Sequence, residues 1–182
     1  TKAGEWKVLR RGGFFGPNAS GKSSFIESID FARDYIIDGQ KSGKGTGVNQ
    51  FRGDFEDLEG ISSFQFMFYL EGEVYEYGFS LDRRQVHEEW LMQLTEKDIT
   101  PLFTRVTDEN GKTTIEIESR FARNKSKDRM LADVLKESIQ ESQKNQLFLY
   151  KLYDNGIKKA ERIVQWFKNL QVIFPETTVQ AL

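Results

Sequence analysis

The eight residues GPNASGKS, Gly16 to Ser23, constrain this chain more than any other stretch. Glycine, four residues, then glycine, lysine and serine is the pattern of a loop that wraps its backbone N–H groups around a chain of phosphates. Gly16 and Gly21 permit the tight turn and the close approach that side chains would block. A helix must follow, so that its unpaired N–H groups and the positive end of its dipole face the anion. Lys22 then reaches the β- and γ-phosphates of a nucleotide, and the Ser23 hydroxyl is placed to ligate Mg2+.

The flanks suit that mechanism. WKVL (6–9) and GFF (13–15) read as short strands, the second feeding the loop, although residues 10–13 make it short and polar for a buried strand. Residues 22–37 read as a helix, with Phe25, Ile26, Ile29, Ala32 (Phe31 beside it) and Ile36 at helical spacing and Gly39 as the stop. Residues 40–60 are Gly-rich and polar without periodicity, a long and therefore mobile or functional loop.

The middle of the chain is β in character. In SSFQFMFYL, Phe64, Phe66, Phe68 and Leu70 alternate with polar or mixed neighbours, and EGE turns the chain into VYEYGFSL. DRRQ turns it again into VHEEWLMQL, and LFTRVT and TTIEIES flank the hairpin signal Asn110-Gly111. Consecutive strands joined by tight turns predict an antiparallel meander. The last third is helical: residues 128–145 place Leu131, Val134, Leu135 and Ile139 on one face, and residues 156–170 do so with Ile157, Ala160, Ile163, Val164 and Phe167. LFLYKLY (147–153) fits helix or strand, and LQVIF (170–174) reads as a buried strand ended by Pro175. The chain thus divides into a phosphate-loop unit (1–39), a Gly-rich loop (40–60), an antiparallel β subdomain (61–120) and a helical segment ending in a strand (121–182).

Composition removes several classes of function. The net charge of −2 gives no global basic field, so contact with nucleic acid or a membrane must be local. The absence of cysteine excludes disulfides, cysteine-ligated zinc and thiol catalysis, and fits a cytoplasmic protein. No apolar run approaches the ~18 residues of a membrane span, and the N-terminus lacks the apolar core of a signal peptide. Aromatic residues make up 13% of the chain, with 15 phenylalanines, which is enough to fill a core.

Nucleotide hydrolysis also needs an acidic metal partner at the end of an apolar strand. Asp38, after YII, and Glu176, after VIFP, come near that pattern, but a solvated helix end and a solvated strand end are the favoured readings. A guanine-specific N-K-x-D motif is missed in NKSKD (124–128), where Lys127 takes the aspartate position. His87 beside Glu88 and Glu89 reads as a cross-strand histidine rather than a catalytic one. Tyr75, Tyr77 and Trp90 could stack on a base, but an aromatic sheet face is usually core. Arg83-Arg84 and the basic run RFARNKSKDR (120–129) could meet phosphate backbones; solvated surface is the favoured reading of both.

FGPNASGKSSFIESIDFARDYI, then SSFQFMFYLEGEVYEYGFSLD with VHEEWL, then NQLFLYKLYDN and VQWFKNLQVIF, together resemble the N-terminal half of a bacterial group of AAA-family ATPases. These have ABC/SMC-type heads and are similar to the OLD, RecF and abortive-infection ATPases. The resemblance implies an α/β fold: a P-loop NTPase lobe of an ABC-type head, with an antiparallel β-meander subdomain and C-terminal helices. It implies that Asn18 and Ser24 join Gly16, Gly21, Lys22 and Ser23 around ATP and Mg2+, with Ala19 and Ser20 between them in the loop. It implies a homodimer with ATP sandwiched between heads, the partner supplying a signature segment, and Walker B acids in a C-terminal lobe. The chain is then expected to be part of a larger protein. A glutamine that senses Mg2+ and γ-phosphate has Gln50 and Gln146 as candidates. Such proteins serve phage defence, with a nuclease or toxin effector, or DNA repair, with nucleic acid as a partner. Two other readings stand beside this one: a nucleotide-sensing scaffold without turnover, and a P-loop kinase or GTPase.

Overall fold

Alternation of aromatic and polar residues builds the centre of the molecule. The computed structural model describes residues 2–3, 6–7, 15–17, 20–41, 44–48, 60–123 and 126–173. Two short strands, β1 (Lys2–Ala3) and β2 (Trp6–Lys7), pair antiparallel. A five-stranded sheet follows, from β3 (Ser62–Leu70), β4 (Glu73–Leu81), β5 (Val86–Leu94), β6 (Ile99–Thr107) and β7 (Thr113–Ile117), in the order β3-β4-β5-β6-β7. Every pairing is antiparallel, so the sheet is the predicted meander. The β3–β4 turn has only Glu71 and Gly72 between paired residues, both with positive φ (52° and 93°), the geometry whose twist matches the strands it joins.

Register puts Phe64, Phe66 and Phe68 of β3 opposite Phe79, Tyr77 and Tyr75 of β4, all on one face. Helices cover that face: α1 (Lys22–Asp38), α3 (Phe148–Asp154) and α4 (Lys158–Lys168), while α2 (Lys127–Ser142) lies beside β7. Ring contacts join the layers, with Tyr35 of α1 stacked on Phe79, Trp166 of α4 stacked on Phe68 at 4.6 Å, and Phe148 of α3 edge-on to Phe103. Tyr75 and Tyr77 are therefore core residues. Trp90 lies on the other face, over Gly78, where a Cβ would sit 2.3 Å from its ring, and it donates to Glu76 Oε1 at 2.9 Å.

The same inner face carries a buried ion pair that sequence reading did not single out. Glu89 and Arg105 are cross-strand partners on β5 and β6, both fully buried, 3.6 Å apart. Glu89 accepts from the backbone N–H groups of Phe148 (2.6 Å) and Leu149 (2.9 Å) and from the Tyr77 hydroxyl (3.0 Å). These N–H groups open α3, whose N-cap, Leu147, has no side chain able to serve them. Arg105 donates to the carbonyls of Gln146 (2.5 Å) and Lys144 (2.8 Å), and Tyr35 Oη donates to that of Asn145 (2.5 Å). Burial pushes the Glu89 carboxyl up and the Arg105 guanidinium down; the opposite charge of each pulls the other back.

One open reading is decided and three expectations change. LFLYKLY is helix, because Glu89 supplies its start. On α2 the buried residues are Ala132, Leu135 and Ile139, whereas Val134 is 62% exposed, since it falls roughly 200° around the helix from Ala132. Phe15 belongs to no strand and is 97% exposed; no described strand lies beside it, and the rest of GFF is outside the described residues. Residues 171–173 form no strand and Ile173 is 67% exposed, because nothing in the described sheets pairs with them. Phe174 and Pro175 lie outside the described residues.

Candidate functional site

Of the loop before α1, residues 15–17, 20 and 21 are described. Gly21 is the N-cap of α1 with φ 85° and ψ 5°, a left-handed conformation in which a side chain would be strained. Its carbonyl accepts the first helical bond, from Phe25 N at 3.0 Å. No side chain caps α1 and no acid stands in its first turn, so its N-terminus holds no internal anion. Ser20 N turns back to the Pro17 carbonyl at 3.3 Å. At Gly16 a Cβ would come within 2.7 Å of Ser20 Oγ and 4.0 Å of Lys22 Nζ, so glycine leaves the room that this turn occupies.

Lys22 closes the cradle on itself. Its ammonium donates to the Gly16 carbonyl at 2.7 Å, the Pro17 carbonyl at 2.5 Å and Ser20 Oγ at 3.1 Å. A lysine has three donors, and all three are spent on the loop. Gly16, Pro17, Ser20, Gly21, Ser23 and Ser24 are exposed, so a ligand meets the loop directly from solvent. Asn18 and Ala19 lie outside the described residues. The residues present fit a nucleotide phosphate chain: an uncapped helix start, a lysine holding oxygen ligands, and a Cβ-free turn beside it. Ser23, the second residue of α1, is exposed beside Lys22. Among the described residues, no group of three or more histidines or carboxylates could hold a metal.

The other sequence candidates stand elsewhere. Asp38 is exposed at the far end of α1, about 24 Å along the helix from Lys22. Gln146 is tied to that same far end, its Oε1 accepting from Gln40 N at 3.1 Å. Gln50 and Glu176 lie outside the described residues. His87 Nε2 is 2.9 Å from Asp82 Oδ2, while Asp82 Oδ1 accepts from the N–H groups of Arg84 (2.6 Å) and Gln85 (2.8 Å). Burial would raise the Asp82 carboxyl, but those N–H groups and His87 outweigh it and hold it below the usual value. His87 is thus part of a turn.

In the basic run 120–129 two of the three arginines, Arg120 and Arg129, are engaged. Arg120 donates to Thr100 Oγ1 at 2.9 Å, and Arg129 donates to the Ile117 carbonyl at 2.7 Å and pairs with Asp133 at 3.1 Å. Ser126 caps α2 by accepting from Arg129 N at 3.2 Å, so this end of NKSKD is a helix start; Asn124 and Lys125 are outside the described residues. Arg83 and Arg84 line a surface groove with other cations. The residues that sequence reasoning missed are Glu89 and Arg105, and strand parity was the available signal: each is in phase with a core residue, Leu91 and Phe103.

No described helix is long and apolar enough to cross a membrane. A family model described as "AAA domain, putative AbiEii toxin, Type IV TA system" matches residues 13–155, which include the loop, α1, the meander and α3. Neither a curated protein nor a solved structure matches the chain.

Proposed function

The chain belongs to this AAA-domain family of abortive-infection type, and we propose that its loop from Gly16 to Ser23 binds the phosphates of ATP with Mg2+ as one part of an ATPase head. The observation that carries the reading is the Lys22 ammonium, held by two carbonyls and a hydroxyl of the loop beside an uncapped helix start. On binding, Lys22 exchanges those oxygens for phosphate oxygens. The first N–H groups of α1 add donors aligned with the helix dipole. Ser23 gives its hydroxyl to the metal. ATP bound here supplies a phosphoanhydride bond whose cleavage releases free energy.

The finer reading is an ABC-type head, related to OLD and RecF proteins, that closes with a second copy around ATP and opens on hydrolysis. The partner copy supplies the signature segment, and a carboxylate from outside the described residues serves the metal. The switch drives a nuclease or toxin effector in phage defence, or acts on nucleic acid in DNA repair, in the cytoplasm. The family description supports the defence arm. A second reading, a nucleotide sensor without turnover, draws on the lack of a metal-holding carboxylate group among the described residues.

Lys22→Ala tests the site. Calorimetry should show ATP binding by the parent chain and none by the variant at equal thermal stability; equal affinity in both would refute the assignment. Turnover by the isolated chain separates the two readings of activity. The head reading expects binding with negligible hydrolysis here, and hydrolysis once the remaining head segments and a second copy are supplied. The sensor reading expects none in either case.

A further inference from the structure

A second cluster of cations lies at the other end of α1, about 25 Å from the phosphate loop. Lys44, Arg83, Arg84 and Lys144 line a groove of about 390 Å3, with Glu141 the one carboxylate among its described lining residues. This local excess of positive charge stands out in a chain whose net charge is −2.

Three segments of chain meet here, and their backbones are pinned together. Thr46 N donates to the Arg83 carbonyl at 3.0 Å, and Val86 N donates to the Lys144 carbonyl at 2.9 Å. Asn145, buried beneath the groove, donates from Nδ2 to the Lys44 carbonyl at 2.7 Å and the Lys41 carbonyl at 2.9 Å. A Cβ at Gly45 would lie 2.7 Å from the Arg83 carbonyl, so the backbones touch. The Asp82 carboxylate holds the turn that carries both arginines.

Three of the four cations on this fixed frame are uncommitted. Lys144 reaches the Gly111 carbonyl, but among the described residues the charged ends of Lys44, Arg83 and Arg84 have no hydrogen bond or ion pair. Cations held close by backbone ties, rather than by counter-charges, are arranged for an anion from outside. Arginine forks match the oxygens of a phosphate group. We propose that this groove binds phosphate groups, at a site distinct from the Gly16–Ser23 loop. Its several cations on an open surface fit successive phosphates of a single-stranded nucleic acid; a free inorganic phosphate chain offers the same chemistry.

The test uses the whole 182-residue chain in the Lys22→Ala background, so that the first loop does not contribute. Probes are a fluorescent thymidine oligonucleotide, read by anisotropy, and tripolyphosphate, read by calorimetry. Binding of either probe, weakened by Arg83→Gln with Arg84→Gln, supports the site; for the oligonucleotide the loss should be about fiftyfold at 50 mM salt, from two single-strand phosphate contacts of slope about −0.7 each, with a salt slope shallower by about 1.4. Glu141→Gln, which removes the carboxylate among the groove's described lining residues, should tighten binding severalfold. Oligonucleotide binding identifies nucleic acid as the source, and tripolyphosphate binding alone identifies a free phosphate chain. No binding of either probe, or binding and salt slope unchanged by the double substitution, would overturn the proposal.

Discussion

Replacing Arg105 with methionine takes one member from a buried pair and leaves the Glu89 carboxylate without its cation at 3.6 Å. Breaking such a pair costs about 3–5 kcal/mol, a large share of the roughly 5–15 kcal/mol that holds a domain folded. The sharper experiment removes both charges, as Glu89→Leu with Arg105→Met. Where two buried charges serve only each other, apolar replacement is neutral or stabilising by about 1–4 kcal/mol.

Here the pair serves the backbone as well. The double substitution orphans the N–H groups of Phe148 and Leu149, the Tyr77 hydroxyl and the carbonyl of Gln146, whereas the Lys144 carbonyl keeps Val86 N. Each orphaned group costs about 1–3 kcal/mol, so the double variant should lose about 3 kcal/mol or more. With a urea slope of about 2 kcal/mol per molar, the unfolding midpoint followed by circular dichroism should fall by about 1.5 M. A double variant as stable as the parent would refute the argument that the pair exists to cap α3 and hold residues 144–146.

Gly21→Ala forces a side chain into a left-handed position at φ 85° and should cost about 1–2 kcal/mol and weaken ATP binding together; calorimetry of both properties checks it. Gly78→Ala puts a Cβ where the Trp90 ring lies, at 2.3 Å, so the indole must move; tryptophan fluorescence should shift and stability fall by about 1–3 kcal/mol. Asp82 titrates below its unfolded value, so between those two values the unfolded chain binds more protons and stability falls as pH drops. Asp82→Asn should flatten the acid limb of stability below about pH 4 in a pH series of unfolding curves, and an unchanged acid limb would show that the turn contributes nothing to it.

What the sequence makes legible follows from which forces are local. VHEEWLMQL delimits β5 at both ends, because alternation fixes which residues face the core. The start of α1 is legible for a similar reason: the left-handed backbone at its N-cap suits the glycine found at position 21, whatever the rest of the chain does. LFLYKLY is not legible, because mostly apolar residues suit either element and the deciding group is a carboxylate 59 positions away. Val134 misleads because helical spacing alone permits two neighbouring faces, and only packing beside β7 selects one. Phe15 and Ile173 look like strand residues, yet a strand exists only beside a partner. Of the cationic groove only the pair Arg83-Arg84 shows in the sequence, since Lys44 and Lys144 come from separate segments that join it only in the fold.

The cross-strand position of Glu89 also gives the molecule a check on its own assembly. Sliding β5 by one residue against its neighbours would turn every side chain to the opposite face. Glu89 would then point to solvent, and α3 would lose the acceptor for its first two N–H groups. A pairing error in the meander is thereby felt in a helix that forms from a later part of the chain. Misregistered sheets cannot recruit the helical layer, so only the correct strand alignment is rewarded with a closed core.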